Sequence, residues 1–272
     1  KDAYVTKLNA AGAHQWTTAY VGCGGCDGAA WDDFDHGKAV AVDGAGNVYV
    51  TGGFSSTVNF GAGEVDSNGG TDVFVTKHNA AGAHQWTTTF GGTNTDSGRS
   101  VGVDGSGNVY VTGSFTGTVD FGAGNVGSNN NNRDVFVTKL NAAGAHQWTT
   151  TFGDTSNDYG YGVAVDGAGN VYVIGTFTGT VDFGAGEVDS NGGTDVFVTK
   201  LNAAGAHQWT TTFGGTSNDS GQGVAVDGAG NVYVTGSFSS TVDFGAGEVD
   251  STGAKDAYVT KLNAAGAHQW TT

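Results

Sequence analysis

The amino-acid sequence predicts an all-β protein built from tandem four-stranded antiparallel units. Two sequence blocks alternate along the chain, both are rich in strand-forming residues, and helical periodicity is absent. The first block, Asp-Val-Phe-Val-Thr-Lys-Leu-Asn-Ala-Ala-Gly-Ala-His-Gln-Trp with small changes, recurs at spacings of 70, 62, 61 and 61 residues. Its copies begin at Asp2, Asp72, Asp134, Asp195 and Asp256, and the second block, Val-Asp-Gly-(Ala/Ser)-Gly-Asn-Val-Tyr-Val, begins at Val42, Val103, Val165 and Val226.

Each unit is predicted to contain two hairpins. In the last copy, strands over 223–227 and 231–238 flank a Gly-Ala-Gly loop, and strands over 256–263 and 268–272 flank an Ala-Ala-Gly-Ala connection. Glycine in these short connections can supply the positive φ of a tight turn. The strand residues are β-branched or aromatic and often apolar on both faces, which favours sheets packed between neighbouring sheets.

Units that are apolar on both faces must stack on copies of themselves, as a β-propeller or as an open propeller-like superhelix. The long connection between the second and third strands, 239–255 in the last copy, is expected to project from one rim and to carry any recognition. The predicted divisions are a half-unit over 1–20 with the third and fourth strands of a blade, a cysteine-containing insertion loop over 21–36, blade 1 over 37–90, blade 2 over 98–152, blade 3 over 160–213 and blade 4 over 221–272.

The run Gly-Val-Ala-Val-Asp-Gly-Ala-Gly-Asn-Val-Tyr-Val-Thr-Gly-Ser-Phe, followed by Asp-Val-Phe-Val-Thr-Lys-Leu-Asn and His-Gln-Trp, resembles the bacterial SBBP family of β-propeller repeats. The resemblance covers essentially the whole chain. Because such repeats occur in large secreted or surface-attached bacterial proteins, it implies an extracellular or cell-surface scaffold or adhesion role without naming a ligand. The near identity of the copies departs from the family and suggests recent amplification.

The amino-acid composition argues against nucleic-acid binding and against membrane insertion. The 272 residues include 50 glycines but no proline or methionine, and 26 acidic against 10 basic residues give a net charge of −16. Nucleic acid is not an expected partner, because phosphate binding needs clustered Lys and Arg. Membrane insertion is not expected either, because no run approaches the roughly 18 apolar residues of a spanning helix. The chain begins at Lys1 without a signal-like segment, so we expect a mature or excised piece of a longer precursor.

Recurring acidic residues make calcium the one candidate cofactor. Asp96, Asp158 and Asp219 occupy Gly-Gly-Thr-like loops, and further Asp residues recur in the Val-Asp-Gly turn and in the long connection. Oxygen-rich loops suit calcium, but the loop ending at Asp96 lacks a glycine of the calcium-binding nonapeptide, and an EF-hand pattern is missing. Turn-forming roles, in which Asp side chains accept nearby backbone N–H groups, are the alternative.

A second recurring feature is one tryptophan per unit. Each follows a histidine by two residues, so strand alternation places both on one face. The residues would serve either as packing between adjacent blades or as the aromatic sugar platforms of a multivalent lectin. They are Trp16, Trp86, Trp148, Trp209 and Trp270.

No catalytic constellation stands out, because the carboxylates occur in nearly equivalent copies, and the first unit is interpreted as the only odd one. It holds Cys23 and Cys26, which fit a structural disulfide, a redox pair or half a zinc site. An all-β chain offers no helix start for a redox pair, and zinc prefers four ligands. The oxidising environment of an exported protein favours a structural disulfide between Cys23 and Cys26.

The sequence favours a non-enzymatic extracellular structural repeat protein that forms a fibre, surface layer or adhesive scaffold. A multivalent carbohydrate-binding propeller that uses its rim loops or its tryptophans is the alternative. Residues 1–18 and 255–272 are identical, so the chain holds four units plus a surplus half-unit. Because a surplus hairpin leaves unpaired edges and a bare apolar face, we expect either a segment of a longer tandem array or head-to-tail self-association between copies.

Overall fold

A computed structural model describes residues 2–22 and 35–272. Within these residues the chain is all-β apart from one short 3₁₀ turn, Asn129–Asn131. Among the same residues, four four-stranded antiparallel sheets follow one another along the chain, one in each predicted blade, and a fifth joins the N-terminal hairpin to the connection of blade 1. The predicted fold class, tandem four-stranded antiparallel blades, is therefore confirmed.

Each blade has the same strand order, with successive long strands as neighbours. Val48 to Phe54, for example, pairs with the preceding strand on one side and with the following long strand on the other. The strands are β3 (His36–Val42), β4 (Val48–Phe54), β7 (Asp72–His78) and β8 (His84–Phe90) in blade 1; β9 (Ser97–Val103), β10 (Val109–Thr116), β13 (Arg133–Leu140) and β14 (His146–Phe152) in blade 2; β15 (Tyr159–Val165), β16 (Val171–Phe177), β19 (Asp195–Leu201) and β20 (His207–Phe213) in blade 3; and β21 (Ser220–Val226), β22 (Val232–Phe238), β25 (Asp256–Leu262) and β26 (His268–Thr271) in blade 4.

The N-terminal hairpin consists of β1 (Ala3–Leu8) and β2 (His14–Gly22). Strand β1 contacts β3 of blade 1, just as the third strand of each blade contacts the first strand of the next blade. The hairpin therefore lies where the third and fourth strands of a preceding blade would lie. The end of β2 also pairs with the connection of blade 1, through Val21 opposite Asn59 and Gly22 opposite Val58.

The long connection in each blade folds into a small hairpin. In blade 3, Val181 and Phe183 of this hairpin are buried in the core, and the Phe183 ring lies 5.4 Å from Phe177 and 4.9 Å from Phe197. The expectation of a projecting loop is corrected in part: Val181 and Phe183 enter the core, whereas the Gly-Ala-Gly tip, its flanks and the segment 191–192 are exposed. The strands are β5 (Thr57–Asn59), β6 (Glu64–Asp66), β11 (Thr118–Asp120), β12 (Asn125–Gly127), β17 (Thr180–Asp182), β18 (Glu187–Asp189), β23 (Thr241–Asp243) and β24 (Glu248–Asp250).

The hydrophobic core lies between the blades as well as within them. Val101, on the first strand of blade 2, belongs to the same buried cluster as Val73 and Val75 of blade 1. The first strands β3, β9, β15 and β21 contact one another in that order. Each of blades 2 and 3 thus buries one sheet face against its predecessor and the other against its successor.

Replacing Phe183 by Ala should destabilise the protein by about 3–5 kcal/mol, because a fully enclosed aromatic ring is removed from the core. Equilibrium urea unfolding followed by circular dichroism measures this change. Glu187→Ala, at an exposed position of the same hairpin, is the matched control and should change stability by no more than about 0.5 kcal/mol. Equal effects of both substitutions would show that the hairpin is only a surface appendage.

Candidate functional site

The aspartates of the Val-Asp-Gly turns close the first hairpin of each blade. Asp43 Oδ1 accepts the backbone N–H groups of Ala45 and Asn47 at 3.0 and 2.9 Å. Asp43 Oδ2 accepts the Asn47 side-chain amide at 2.7 Å and the Tyr49 hydroxyl at 3.0 Å. Both carboxylate oxygens thus serve the turn. The same arrangement recurs at Asp104, Asp166 and Asp227.

The calcium candidates tie a rim loop to the start of the small hairpin. Asp96 is buried; its Oδ2 accepts the Gly92 N–H at 2.8 Å and its Oδ1 accepts the Thr116 N–H at 2.9 Å. Burial raises the pKa of Asp96 and that of Asp158 to about 6. Asp158 and Asp219 make the corresponding pairs of hydrogen bonds.

This geometry supports the turn-forming interpretation, because both oxygens of each carboxylate already accept backbone N–H groups. Calcium prefers six to eight oxygen ligands. In the part of the chain that the structure describes, no group of three or more His, Cys, Asp or Glu side chains could hold a metal ion. Calcium binding at Asp96, Asp158 and Asp219 stays a prediction.

A second row of buried carboxylates escaped the sequence analysis. Asp134 Oδ2 accepts the backbone N–H of Asn129 at 3.0 Å, whereas its Oδ1 is buried without a hydrogen-bond partner. Burial raises the pKa of Asp134 to about 7. The sequence shows that an acidic residue opens every copy of the first block, but not that this residue is buried. Asp72 and Asp195 occupy the equivalent positions and also have an unpartnered Oδ1.

The tryptophans contact the next unit. Trp86 donates its indole N–H to the Ala142 carbonyl oxygen at 3.1 Å, and Gly144 of the same turn lies against the ring. A Cβ at Gly144 would lie 2.8 Å from Trp86 Cδ2, so glycine permits this approach. The geometry supports packing between blades. Trp16, Trp148 and Trp209 bond the carbonyls of Ala80, Ala203 and Ala264 in the same way.

Cys23 and Cys26 lie outside the described residues, so their disulfide stays a prediction.

The interpretation of the first unit as the only odd one was incomplete, because the junction of blades 2 and 3 also differs. Arg99 and Arg133, the two arginines of the chain, lie there beside Tyr159 and Tyr161. Comparing the copies position by position would have found them.

Three segments of the chain, 85–117, 147–179 and 208–241, match the model of the SBBP β-propeller repeat. Each runs from the fourth strand of one blade into the long connection of the next, so the sequence repeat is offset from the structural blade. The chain therefore contains three tandem repeats of the SBBP β-propeller family, and the resemblance inferred from the residues is confirmed.

The chain is also similar to a protein named regulatory protein FlaEY from Caulobacter vibrioides. The two are 30% identical over 242 residues, which cover 83% of this chain and 24% of that protein. The chain thus spans about a quarter of the length of this relative. Among the described residues, no helix has the length and apolar character needed to cross a membrane.

Asp134→Asn should raise the stability of the protein more at pH 8 than at pH 5. The folded-state pKa of about 7 lies above the ordinary value near 4, so protonation of Asp134 stabilises the fold at low pH. This stabilisation is lost progressively between about pH 4, where the carboxyl of the unfolded chain ionises, and pH 7, where the buried carboxyl ionises. Urea unfolding at both pH values should show a gain of about 1–3 kcal/mol at pH 8 and a clearly smaller gain at pH 5.

Asp120→Asn is the matched control. Backbone N–H groups of Gly122 and Gly124 lower the pKa of this exposed carboxyl, so it stays ionised at both pH values. Its effect on stability should be the same at pH 5 and pH 8. A gain for Asp134→Asn that does not depend on pH would contradict the assignment of a raised pKa.

Chelator treatment should leave the core fold intact. The stacked apolar faces supply the main stabilisation, and the rim aspartates bond backbone N–H groups. The β-sheet circular dichroism signal with and without EDTA checks this expectation. Collapse of the signal in EDTA, with recovery on adding calcium, would establish the calcium hypothesis instead.

Proposed function

We propose that this protein is a non-enzymatic structural repeat protein that associates head-to-tail into a fibre, surface layer or adhesive scaffold. One observation carries the proposal: the two ends of the stack each present an unmatched half of the contact that joins the internal units. The family resemblance supports an extracellular or cell-surface location.

The tryptophan of the last blade lacks the contact with a neighbouring unit that the other four tryptophans make. Trp270 is 43% exposed, and its indole N–H has no acceptor among residues 2–22 and 35–272. Val259 of the same blade is 39% exposed, whereas the equivalent Val198 of blade 3 is fully buried. The last blade thus exposes an apolar face that its predecessors bury.

The N-terminal hairpin presents the other side of this contact, which is the turn on which a tryptophan packs. Gly12 occupies the turn position that receives a tryptophan in every later unit, yet a Cβ placed on it would meet nothing within 4 Å. The backbone of this turn matches the later turns, with Asn9 Oδ1 accepting the N–H groups of Ala11 and Ala13. Tyr4 and Leu8 of the hairpin are 67% and 54% exposed.

The last blade presents the tryptophan side of the internal contact, and the N-terminal hairpin presents the turn side. Each surface is therefore complementary to the other surface and not to a second copy of itself. Trp270 of one copy would donate to the Ala10 carbonyl of the next copy and pack on Gly12, repeating the contact between Trp209 and its turn. A contact between two different surfaces propagates instead of closing a dimer. Exposed apolar patches on both surfaces supply a driving force for association.

Sugar binding through the repeated tryptophans is the weaker alternative. A sugar platform needs an accessible ring face, and four of the five rings lie against the turn of a neighbouring unit. Of the five, only Trp270 lies against no such turn, and it is 43% exposed.

The test compares Trp270→Ala with Trp209→Ala. Light scattering of the purified protein at increasing concentration should show growing head-to-tail oligomers, and electron microscopy should show extended assemblies. Trp270→Ala should abolish the growth without changing the unfolding transition. Trp209→Ala, which removes the same side chain from an internal junction, should lower stability but leave the growing end intact.

Wild-type protein that stays monomeric at high concentration would overturn the proposal. Assemblies that persist in Trp270→Ala would show that they form through other surfaces. Release of a sugar from a glycan by the purified protein would contradict the non-enzymatic assignment.

A further inference from the structure

We propose that the junction of blades 2 and 3 carries a binding site for a carboxylate-bearing sugar, formed by Arg99, Arg133, Tyr159, Tyr161 and the adjoining asparagine loop. This site is separate from the head-to-tail surfaces and goes beyond the structural role.

The site lies where the nearly identical copies differ in chemistry. Position 99 holds Arg, whereas the equivalent positions of the other first strands hold Lys38, Tyr161 and Gln222. Tyr159 stands where blades 2 and 4 have Ser97 and Ser220. Arg133 stands where blades 1 and 3 have Thr71 and Thr194 and where blade 4 has Lys255.

The four side chains form one cationic and aromatic cluster. The Arg99 guanidinium carbon lies 5.3 Å from the ring centre of Tyr159 and 5.0 Å from that of Tyr161. The Arg133 guanidinium lies 5.9 Å from the Tyr159 ring centre, and its Nη1 is 3.5 Å from the Tyr159 hydroxyl. The two tyrosine rings are stacked, with centres 5.9 Å apart and planes inclined by 17°.

The guanidinium groups retain most of their hydrogen-bonding capacity. Neither arginine forms an ion pair within 4.0 Å anywhere in residues 2–22 or 35–272, although the chain has 26 acidic residues. Arg99 Nε is buried without a hydrogen-bond partner. Two acidic residues of the loop before Tyr159 accept backbone N–H groups instead: Asp154 accepts those of Ser156 and Thr180, and Asp158 accepts those of Asp154 and Thr178. An external anion would satisfy donors that the protein leaves open.

A polar cleft adjoins the cluster and supplies groups suited to sugar hydroxyls. Side-chain amides and hydroxyls both donate and accept hydrogen bonds. Asn130 and Asn131 hold φ of 50° and 56°, a conformation that glycine adopts at lower cost, and the equivalent loops of blades 1 and 3 contain Gly-Gly. The cleft is lined by Asn94, Thr95, Thr116, Asn131, Asn132, Arg133 and Asn157.

The chemistry of the site selects one kind of ligand. A planar guanidinium matches a carboxylate bidentately, and tyrosine rings offer apolar faces to the C–H face of a sugar ring. The neutral hydrogen-bonding groups of the cleft outnumber the two cations, and the net charge of −16 opposes polyanions. The best match is a short oligosaccharide with a uronic-acid residue.

The test uses the full chain and trigalacturonate as the probe, with binding followed by isothermal titration calorimetry. Arg99→Gln and Arg133→Thr install residues that equivalent positions already carry, so the fold should persist. Each should weaken binding by about tenfold or more, because a charge-assisted pair is lost. Lys38→Gln, which removes the same charge from blade 1, should leave binding unchanged.

Methyl-esterified trigalacturonate should bind at least about tenfold more weakly than the free acid. Equal binding of the ester, or sulfate and phosphate competing as well as trigalacturonate does, would overturn the proposal of a carboxylate-bearing sugar. Absence of trigalacturonate binding would overturn it outright. If Arg99→Gln then lowered the melting temperature, the cluster would be only a packing contact between blades 2 and 3.

Discussion

The whole structure depends on the fact that each four-stranded sheet is apolar on both faces. A sheet of this kind cannot bury both of its apolar faces by itself, so its stability depends on contacts with neighbouring sheets, as in other repeat proteins. The shared clusters, such as the one that joins Val75 to Val101, are the physical form of this dependence. Its consequence is that an end blade exposes what an internal blade buries, as the difference between Val259 and Val198 demonstrates.

Polar side chains in this fold mostly work locally, at the ends of the sheets. Asp43 and its equivalents close the first hairpin, and Asn9 and its equivalents close the second in the same manner. Asp96 and its equivalents join two separate rim segments. Backbone N–H groups that sheet pairing leaves unused thus find side-chain acceptors, so these aspartates and asparagines hold the turns and rim segments in place.

The sequence predicted the long strands and their hairpins because a tandem copy repeats the same period-two pattern and the same turn glycines. It did not predict the small hairpins, since Thr180–Asp182 and Glu187–Asp189 are too short for a periodic signal. The buried row containing Asp134 was missed for another reason. Whether an aspartate at a strand start faces water or lies under a loop depends on the neighbouring segments, which a local pattern does not encode.

Because the copies are nearly identical, comparing equivalent positions shows where stacking of the blades requires one residue type and where it tolerates several. Gly98 and Gly160 are fixed, because a Cβ on either would lie 2.4 Å from the Oγ1 of a threonine in the preceding blade. One residue further on, Arg99 and Tyr161 stand where the other first strands have Lys38 and Gln222. Four chemically different side chains at one position are compatible with the same sheet, so stacking places little constraint there. Chemistry that belongs to a single junction can therefore arise at these positions without altering the contacts that hold the blades together.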